Sequence, residues 1–267
     1  MSEFAPDFER DDNGWIKFPR DTELRKMLFP DTDPTEHIAK ANMIMVRELV
    51  SHFTERGETI LDPFAGTGTI MVACTIGREA MMIELGTHFI DTIESNIQSM
   101  KAQVPDIEKM ATLIPGNANS ILPIPDWVDH LCFSPPYPMG LKKKTMSEVG
   151  IEKAYKHAHI YSEEGGQDNF TNLNQFFYHQ KIYKFYEKCL ETVKPGGTMT
   201  VIIKDHIEQG KRQENPERTV RDCLKMGWEL LERNKWLAMG GAFTAFNRAS
   251  GLETVDDEDL ITFRKPS

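Results

Sequence analysis

The stretch LDPFAGTGTI, residues 61–70, ends an apolar run with a turn that contains two glycines and two threonines. Seven apolar runs in the chain have the length of strands, and most are separated by segments with helical spacing of apolar residues. Strands that alternate with helices predict an α/β fold with a mostly parallel seven-stranded sheet and helices on both faces. The predicted strands lie in GETILD, EAMMIEL, ATLIPGNA, VDHLCF, TMTVIIK, WELLERNKWLA and DLITFRK.

The remaining segments divide the chain into an arm and one domain. Residues 1–36 are rich in Asp, Pro and Arg and predict an irregular N-terminal arm with a short helix around Thr22–Met27. Apolar residues at helical spacing predict a helix over 37–52, where a domain begins that extends to residue 267. Within this domain the polar stretch 139–177 is expected to be a small insertion, and KPGG a turn. Further helices are predicted in TIMVACTIG, FIDTIESNIQSMKAQ, RTVRDCLKMG and Phe176–Val193.

Composition limits the class of protein. Of the 267 residues, 40% are hydrophobic and 27% charged, as expected for a globular protein with a sizeable core. No apolar run is long enough to span a bilayer, and the acidic N-terminus lacks the layout of a secretion signal. A cytoplasmic protein without membrane contact is therefore expected. The four cysteines are far apart and lack metal-ligand spacing, which predicts reduced, buried thiols and no bound metal.

The glycine turn of residues 62–69 is compatible with several functions. A phosphate-binding loop needs a lysine directly after its last glycine, whereas Thr69 and Ile70 follow Gly68 here. The dinucleotide pattern GxGxxG is also absent from the turn. A tight turn without a ligand stays open, because glycine is used wherever the backbone bends sharply. Whether the turn binds a ligand must therefore be judged from the residues around it.

Three polar side chains at the ends of predicted strands favour a ligand. The Asp62 carboxylate begins the turn, where it would attract an ammonium or hydroxyl group and repel phosphate. Glu84 ends the next strand, and a carboxylate there can accept hydrogen bonds from both hydroxyls of a ribose. Asn117 follows the third strand, and its side chain could pair with an adenine edge. An adenine, a ribose and a cationic amino-acid tail without phosphate occur together in S-adenosylmethionine.

The tetrapeptide Ser134-Pro135-Pro136-Tyr137 follows the fourth predicted strand, so it should lie at the same edge of the sheet as the glycine turn. Two prolines and a tyrosine can also form a rigid turn of purely structural function. In the functional interpretation, the Ser134 hydroxyl and the Pro135 carbonyl accept hydrogen bonds from an exocyclic amine and return electron density to its nitrogen. The prolines hold these acceptors in place, and Tyr137 offers a flat face to a base extruded from a duplex.

The motifs DPFAGTGT, IELG, GNA and SPPY together resemble those of the S-adenosylmethionine-dependent DNA amino-methyltransferases, particularly the enzymes that make N4-methylcytosine. FPRDTELRKMLFP resembles an arm found in one branch, and HIAKANMIMVREL resembles the helix before the glycine motif. ETVKPGGTMTVIIKD and EDLITFRKP resemble later strands, so the likeness extends from Phe18 to Pro266. It implies a Rossmann-like methyltransferase fold with an antiparallel C-terminal strand, and methyl transfer to cytosine N4 in DNA by base flipping, as in restriction-modification systems.

The resemblance also implies functional residues by position. The tetrapeptide of residues 134–137 would be catalytic, and His37, Lys40 and Asn42 would lie near the methionine carboxylate of the cofactor. Relatives usually carry Asp where Asn117 stands, so weaker cofactor binding is expected here. The implied cofactor-binding residues are His37, Lys40, Asn42, Asp62, Pro63, Phe64, Ala65, Gly66, Thr67, Gly68, Thr69, Glu84, Leu85, Asn117 and Ala118.

Any nucleic acid must bind locally, because a net charge of −10 argues against a chain that coats nucleic acid through bulk charge. Runs of lysine are commonly solvated surface, but beside the proposed pocket they predict contact with DNA phosphates. The small insertion has few groups suited to reading base edges, so a short or loosely read target is expected, or help from a homodimer or a partner restriction subunit. The predicted DNA-binding residues are Lys142, Lys143, Lys144, Lys204, Lys211 and Arg212.

Two other functions stay open. The same scaffold could methylate adenine N6 or RNA, since only the family resemblance of Ser134 favours cytosine. Outside the enzymes, the chain could be a catalytically silent subunit that binds cofactor and DNA. The intact SPPY motif argues against this silent subunit.

Overall fold

The structure is a computed structural model that describes residues 3–32, 40–137, 169–208, 211–238, 249, 251 and 253–267. The insertion predicted at 139–177 lies mostly outside these residues, and so does His37. The strands are β1 (Thr59–Asp62), β2 (Glu79–Glu84), β3 (Ala111–Pro115), β4 (Val128–Phe133), β5 (Val193–Ile203), β6 (Ile207–Glu208), β7 (Lys211–Arg212), β8 (Glu229–Leu237) and β9 (Asp257–Arg264).

The described helices include those predicted from the sequence and three short ones that were not predicted, at 107–110, 118–121 and 170–172. Among those that the structure describes, none is both long and apolar enough to cross a lipid bilayer. They are α1 (Thr22–Leu28), α2 (Met43–Phe53), α3 (Thr87–Met100), α4 (Ile107–Met110), α5 (Ala118–Ile121), α6 (Gln175–Thr192) and α7 (Asn215–Met226), with 3₁₀ helices η1 (Thr69–Ile76) and η2 (Phe170–Asn172).

Seven strands form one sheet in the order β3-β2-β1-β4-β5-β9-β8. Strands β1 to β5 run parallel to one another, whereas β9 runs antiparallel to both β5 and β8. The prediction of a mostly parallel seven-stranded sheet with an antiparallel C-terminal strand is therefore confirmed. The strand order reverses between β1 and β4, and a cleft forms at the carboxyl ends of strands where such a reversal occurs.

The central strands are rich in apolar residues because both faces of the sheet are buried there. Ile60 of β1 and Cys132 of β4 point into the core under α2, η1 and α3. Their neighbours Leu61 and Leu131 point into the opposite core, under α6 and α7. The four cysteines are unpaired and buried, as predicted. Helices on both faces thus cover the apolar residues of the central strands.

The N-terminal arm belongs to the core of the molecule. Phe4, Phe18 and Leu28 are almost fully buried in the cluster under α2. The Ile16 amide donates to the Lys235 carbonyl at 2.9 Å, and the Ile16 carbonyl accepts the amide of Leu237 at 2.9 Å. The arm therefore pairs with the outer edge of β8 through one β-bridge at Ile16. The predicted short helix is confirmed as α1, while the division of the chain at residue 36 stays a prediction.

Two predicted boundaries were wrong. Helix α2 begins at Met43 rather than at residue 37, because the Asn42 side chain accepts hydrogen bonds from the amides of Ile44 and Met45 and caps the helix there. KPGG is part of β5 rather than a separate turn. Its Gly197 lies so close to β4 that a Cβ atom would come within 2.7 Å of the Asp129 carbonyl. Glycine is needed there for close approach between strands.

Candidate active site

A cavity of about 260 Å³ opens at the carboxyl ends of β1, β2, β3 and β4. It brings together the glycine turn, the ends of β2 and β3, and the whole SPPY tetrapeptide. Predicted residues on its wall are Lys40, Asp62, Pro63, Phe64, Ala65, Gly66, Thr67, Thr69, Glu84, Leu85, Asn117, Ala118, Ser134, Pro135, Pro136 and Tyr137.

The glycine turn is shaped by left-handed backbone and by a carboxylate. Gly66 and Gly68 have φ angles of 55° and 80°, which glycine adopts without strain. The Gly66 amide donates to Glu84 Oε2 at 2.7 Å, so the turn is held against the end of β2. Gly68 does not line the cavity but caps the start of η1. Its predicted contact with a cofactor stays a prediction.

Glu84 is fixed at the centre of the cavity floor. Oε1 accepts the amides of Leu85 and Gly86 at 2.9 and 2.8 Å, and Oε2 accepts that of Gly66. Hydrogen bonds to an ionised acceptor are stronger than those between neutral groups. The carboxylate is thus held in one orientation on the cavity wall.

Asp62 is the second carboxylate of the cavity. Its Oδ1 accepts the Phe64 amide at 2.9 Å, which fixes the side chain at the beginning of the turn. Burial, together with the negative charge of Glu84, raises the pKa of Asp62 to about 7, although the Phe64 amide opposes the shift. A cation placed in the cavity would therefore relieve an unfavourable electrostatic environment.

The SPPY tetrapeptide follows β4, which lies directly beside β1 in the sheet. Pro135 is buried, and Ser134 and Tyr137 are partly exposed to the cavity. The Tyr137 hydroxyl accepts the Lys204 amide at 2.9 Å, which ties the ring to the end of β5. Burial raises the pKa of Tyr137 well above its ordinary value, so the phenol stays neutral. The ring is thus a fixed apolar surface on the cavity wall.

The third side of the cavity is formed at the end of β3. The Gly116 amide donates to the Glu84 carbonyl at 2.8 Å and joins the ends of β2 and β3. The Asn117 side chain accepts the amide of Asn119 at 2.9 Å and caps α5. Asn117 therefore lines the cavity in a fixed conformation. Its contact with adenine stays a prediction.

Several residues of the cavity were not predicted. Asn169, Phe170 and Thr171 close one side, and the Asn169 side chain accepts the amide and hydroxyl of Thr171. The Phe170 ring packs edge-on against Phe64 with ring centroids 5.6 Å apart. This contact connects the glycine turn to the segment before α6. The sequence NFTN has no periodic signal, and only its Asn-x-Thr turn pattern indicates local structure. The other unpredicted residues are Ala41, Ile83, Gly86, Phe89 and Gly116.

One predicted cofactor residue has another function in the structure. Asn42 caps α2, and its Nδ2 donates to the Pro19 carbonyl at 2.8 Å. It holds the arm against the helix and does not line the cavity. Lys40, two positions earlier, does line it. The proximity of Asn42 to a methionine carboxylate thus receives no support from this geometry.

The predicted DNA-binding residues have different positions. Lys142, Lys143 and Lys144 lie outside the described residues, as does the side chain of Lys211. The Lys204 side chain is exposed at the end of β5. The guanidinium of Arg212 is paired with Asp205 at 2.5 Å and with Asp257 at 2.9 Å. Arg212 is thus paired with two carboxylates of this chain, and its contact with DNA stays a prediction.

Part of the chain matches a known protein family. Residues 9–95 match the model of the N6_N4_Mtase family, described as DNA methylase. The matched segment contains the arm, α2, the glycine turn, Glu84 and the start of α3. No curated protein sequence matches the chain.

Solved structures show that the fold is that of the Rossmann-like methyltransferases. PH1948 of Pyrococcus horikoshii, provisionally described as an RNA methyltransferase, aligns with a TM-score of 0.52 and 13% identity over 92% of this chain and 96% of its own. The glycopeptide N-methyltransferase MtfA, complexed with sinefungin, has a TM-score of 0.50 and 14% identity over 97% and 100%. TrmN of Thermus thermophilus has a TM-score of 0.50 and 15% identity over 87% of this chain, which spans only 52% of TrmN.

Proposed function

We propose that this protein transfers a methyl group from S-adenosylmethionine to the N4 amine of cytosine in DNA. The observation that carries the proposal is the single cavity that contains both carboxylates, Asp62 and Glu84, and the complete SPPY tetrapeptide. The DNA methylase family match over residues 9–95 supports the same class of reaction.

The chemistry of the cavity fits S-adenosylmethionine. Glu84 would place its carboxylate beside the ribose hydroxyls, and Asp62 would place negative charge beside the cationic tail. Ile83, Leu85 and Phe89 provide apolar wall for the adenine, beside Asn117. When bound, S-adenosylmethionine supplies a methyl group on a positively charged sulfur, which a nucleophilic amine can accept.

The residues 134–137 would prepare that amine. The lone pair of a cytosine N4 amine is delocalised into the ring, so the amine is a poor nucleophile. The Ser134 hydroxyl and the Pro135 carbonyl would each accept a hydrogen bond from one N–H group of the amine. These hydrogen bonds favour a pyramidal nitrogen with a localised lone pair. The Tyr137 ring, fixed through Lys204, stacks against the base after it has left the duplex. Proximity and orientation supply most of the acceleration.

Adenine N6 is the second candidate, because the matched family is named for both N6 and N4 methylation. Digestion of methylated plasmid DNA to nucleosides, followed by mass spectrometry, separates N4-methylcytosine from N6-methyladenine. We expect N4-methylcytosine. Methylation of RNA alone would contradict the proposal.

A matched pair of variants tests whether the cavity is catalytic. Ser134→Ala should lower turnover about a hundredfold by removing one acceptor of the amine, while cofactor affinity stays unchanged. Ser120→Ala, a serine in α5 outside the cavity, serves as the control with full activity. A purified protein that binds S-adenosylmethionine but methylates no nucleic acid would instead support the silent subunit.

A further inference from the structure

Arg25 connects the N-terminal arm to two walls of the cavity. Its Nη1 donates to the Thr69 hydroxyl at 3.3 Å, and its Nη2 donates to the Ala41 carbonyl at 2.5 Å. Its Nε donates to Asp21 Oδ2 at 2.6 Å, and the same oxygen accepts the Met43 amide. Thr69 and Ala41 both line the cavity, whereas Arg25 does not. One guanidinium thus holds the glycine turn and the segment before α2 together.

The ion pair between Arg25 and Asp21 is largely buried. The Arg25 side chain is 11% exposed and that of Asp21 is 18% exposed, so the ion pair is largely removed from water. A buried charge is tolerated only when its hydrogen bonds are satisfied, and here the partners lie on three separate segments. A planar fork can reach such a set of acceptors, while the point charge of a lysine cannot.

A second set of hydrogen bonds connects the arm to the glycine turn through Asn96. The Thr32 hydroxyl donates to Asn96 Oδ1 at 2.7 Å, and Asn96 Nδ2 donates to the Thr67 carbonyl at 3.0 Å. Asn96 is fully buried, and Thr67 lines the cavity. The arm is therefore attached to the glycine turn on both sides of Gly68.

We propose that Arg25 is a positioning residue for the methionine end of the cofactor. This inference depends on the proposed function. Asp62 and Thr69 belong to the β1 end of the cavity, whereas Glu84 and Asn117 belong to the β2 and β3 ends, where ribose and adenine bind. Arg25 organises only the first of these regions. Its loss should weaken ligands that carry the amino-acid tail and spare ligands that lack it.

The experiment compares ligands with and without that tail by isothermal titration calorimetry. Arg25→Lys should weaken binding of S-adenosylmethionine and S-adenosylhomocysteine about tenfold, and that of 5′-methylthioadenosine less than about twofold. Asp21→Asn leaves Arg25 in place but removes its ionic partner. It should also weaken binding of S-adenosylmethionine and S-adenosylhomocysteine more than that of 5′-methylthioadenosine, by a smaller factor than Arg25→Lys. This second variant tests the proposal if Arg25→Lys folds poorly.

Arg78→Lys is the matched control. Arg78 is also buried, donates to the carbonyls of Thr54 and Ile76, and lies outside the cavity. Its replacement should lower the melting temperature and leave the affinities for all three ligands unchanged. Equal weakening of all three ligands in Arg25→Lys and Asp21→Asn, or no weakening, would overturn the proposal. If the wild-type protein binds none of the three ligands, the proposed function itself fails, which is a different outcome.

Discussion

Replacement of Asp62 by Asn should stabilise the ligand-free protein while it weakens binding of S-adenosylmethionine. Burial and the charge of Glu84 raise the pKa of Asp62 from 3.8 to about 7, equivalent to about 4 kcal/mol against the ionised form. In the unfolded chain the carboxyl loses its proton near pH 4, but in the folded protein it keeps the proton until about pH 7. The free energy of unfolding therefore falls as the pH rises between these values.

The stabilisation expected from Asp62→Asn increases with pH. Asn has no charge to bury, and its carbonyl oxygen can still accept the Phe64 amide. Asp62→Asn should thus raise the free energy of unfolding by up to about 4 kcal/mol at pH 8, and by about 1–2 kcal/mol at pH 5. Urea unfolding followed by circular dichroism at the two pH values measures this difference.

Asp91→Asn is the control, because Asp91 is exposed on α3 and its replacement should change stability by less than about 0.5 kcal/mol at either pH. In calorimetry, Asp62→Asn should bind S-adenosylmethionine more weakly than the wild type at pH 8. A variant less stable than the wild type at pH 8, or a gain in stability that does not depend on pH, would refute the reasoning.

Other changes test separate parts of the molecule. Tyr137→Phe keeps the ring but loses the bond to the Lys204 amide, so turnover on plasmid DNA should fall about tenfold, against at least about a hundredfold for Tyr137→Ala. Phe170→Ala removes a buried ring that packs on Phe64 and should lower the free energy of unfolding by about 3–5 kcal/mol in urea. Asp257 is buried, but Lys235 and Arg212 hold its pKa below the ordinary value, so it stabilises the fold above pH 4 and less as the pH falls further. Asp257→Asn should therefore cost about 3 kcal/mol at pH 7 and progressively less in acid, measured by unfolding at several pH values. A methylation map of plasmid DNA should show a short or degenerate target, and a long stringent target read by a monomer would contradict the prediction from the insertion.

The sheet and the position of the site could be predicted from the sequence. Because both faces of the sheet are covered, short runs such as TILD and VDHLCF place apolar residues on each face, which distinguishes them from helices. Parallel strands place their carboxyl ends at one edge, so residues that follow the strands must come together there. Asp62, Glu84 and Ser134 were placed in one cavity by this rule alone.

Contacts between distant segments could not be predicted in the same way. Arg25 meets Thr69 across 44 residues, and neither residue carries a periodic or motif signal that indicates the other. Phe170 joins the cavity through its packing on Phe64, which depends on where a non-periodic segment returns to the sheet. Asn42 was assigned to the cofactor by family position, whereas the capping preference of Asn before an apolar helix indicated its structural role.

The attachment of Ile16 beside Trp236 has a consequence for synthesis of the protein. The ribosome produces the arm first, but the strand that receives it is made more than 200 residues later. The arm must wait without its partner through most of translation, since pairing between segments so far apart in sequence forms late. Shortening the amino terminus in a recombinant protein would uncover the edge of β8 around Trp236, and an uncovered sheet edge promotes association between copies.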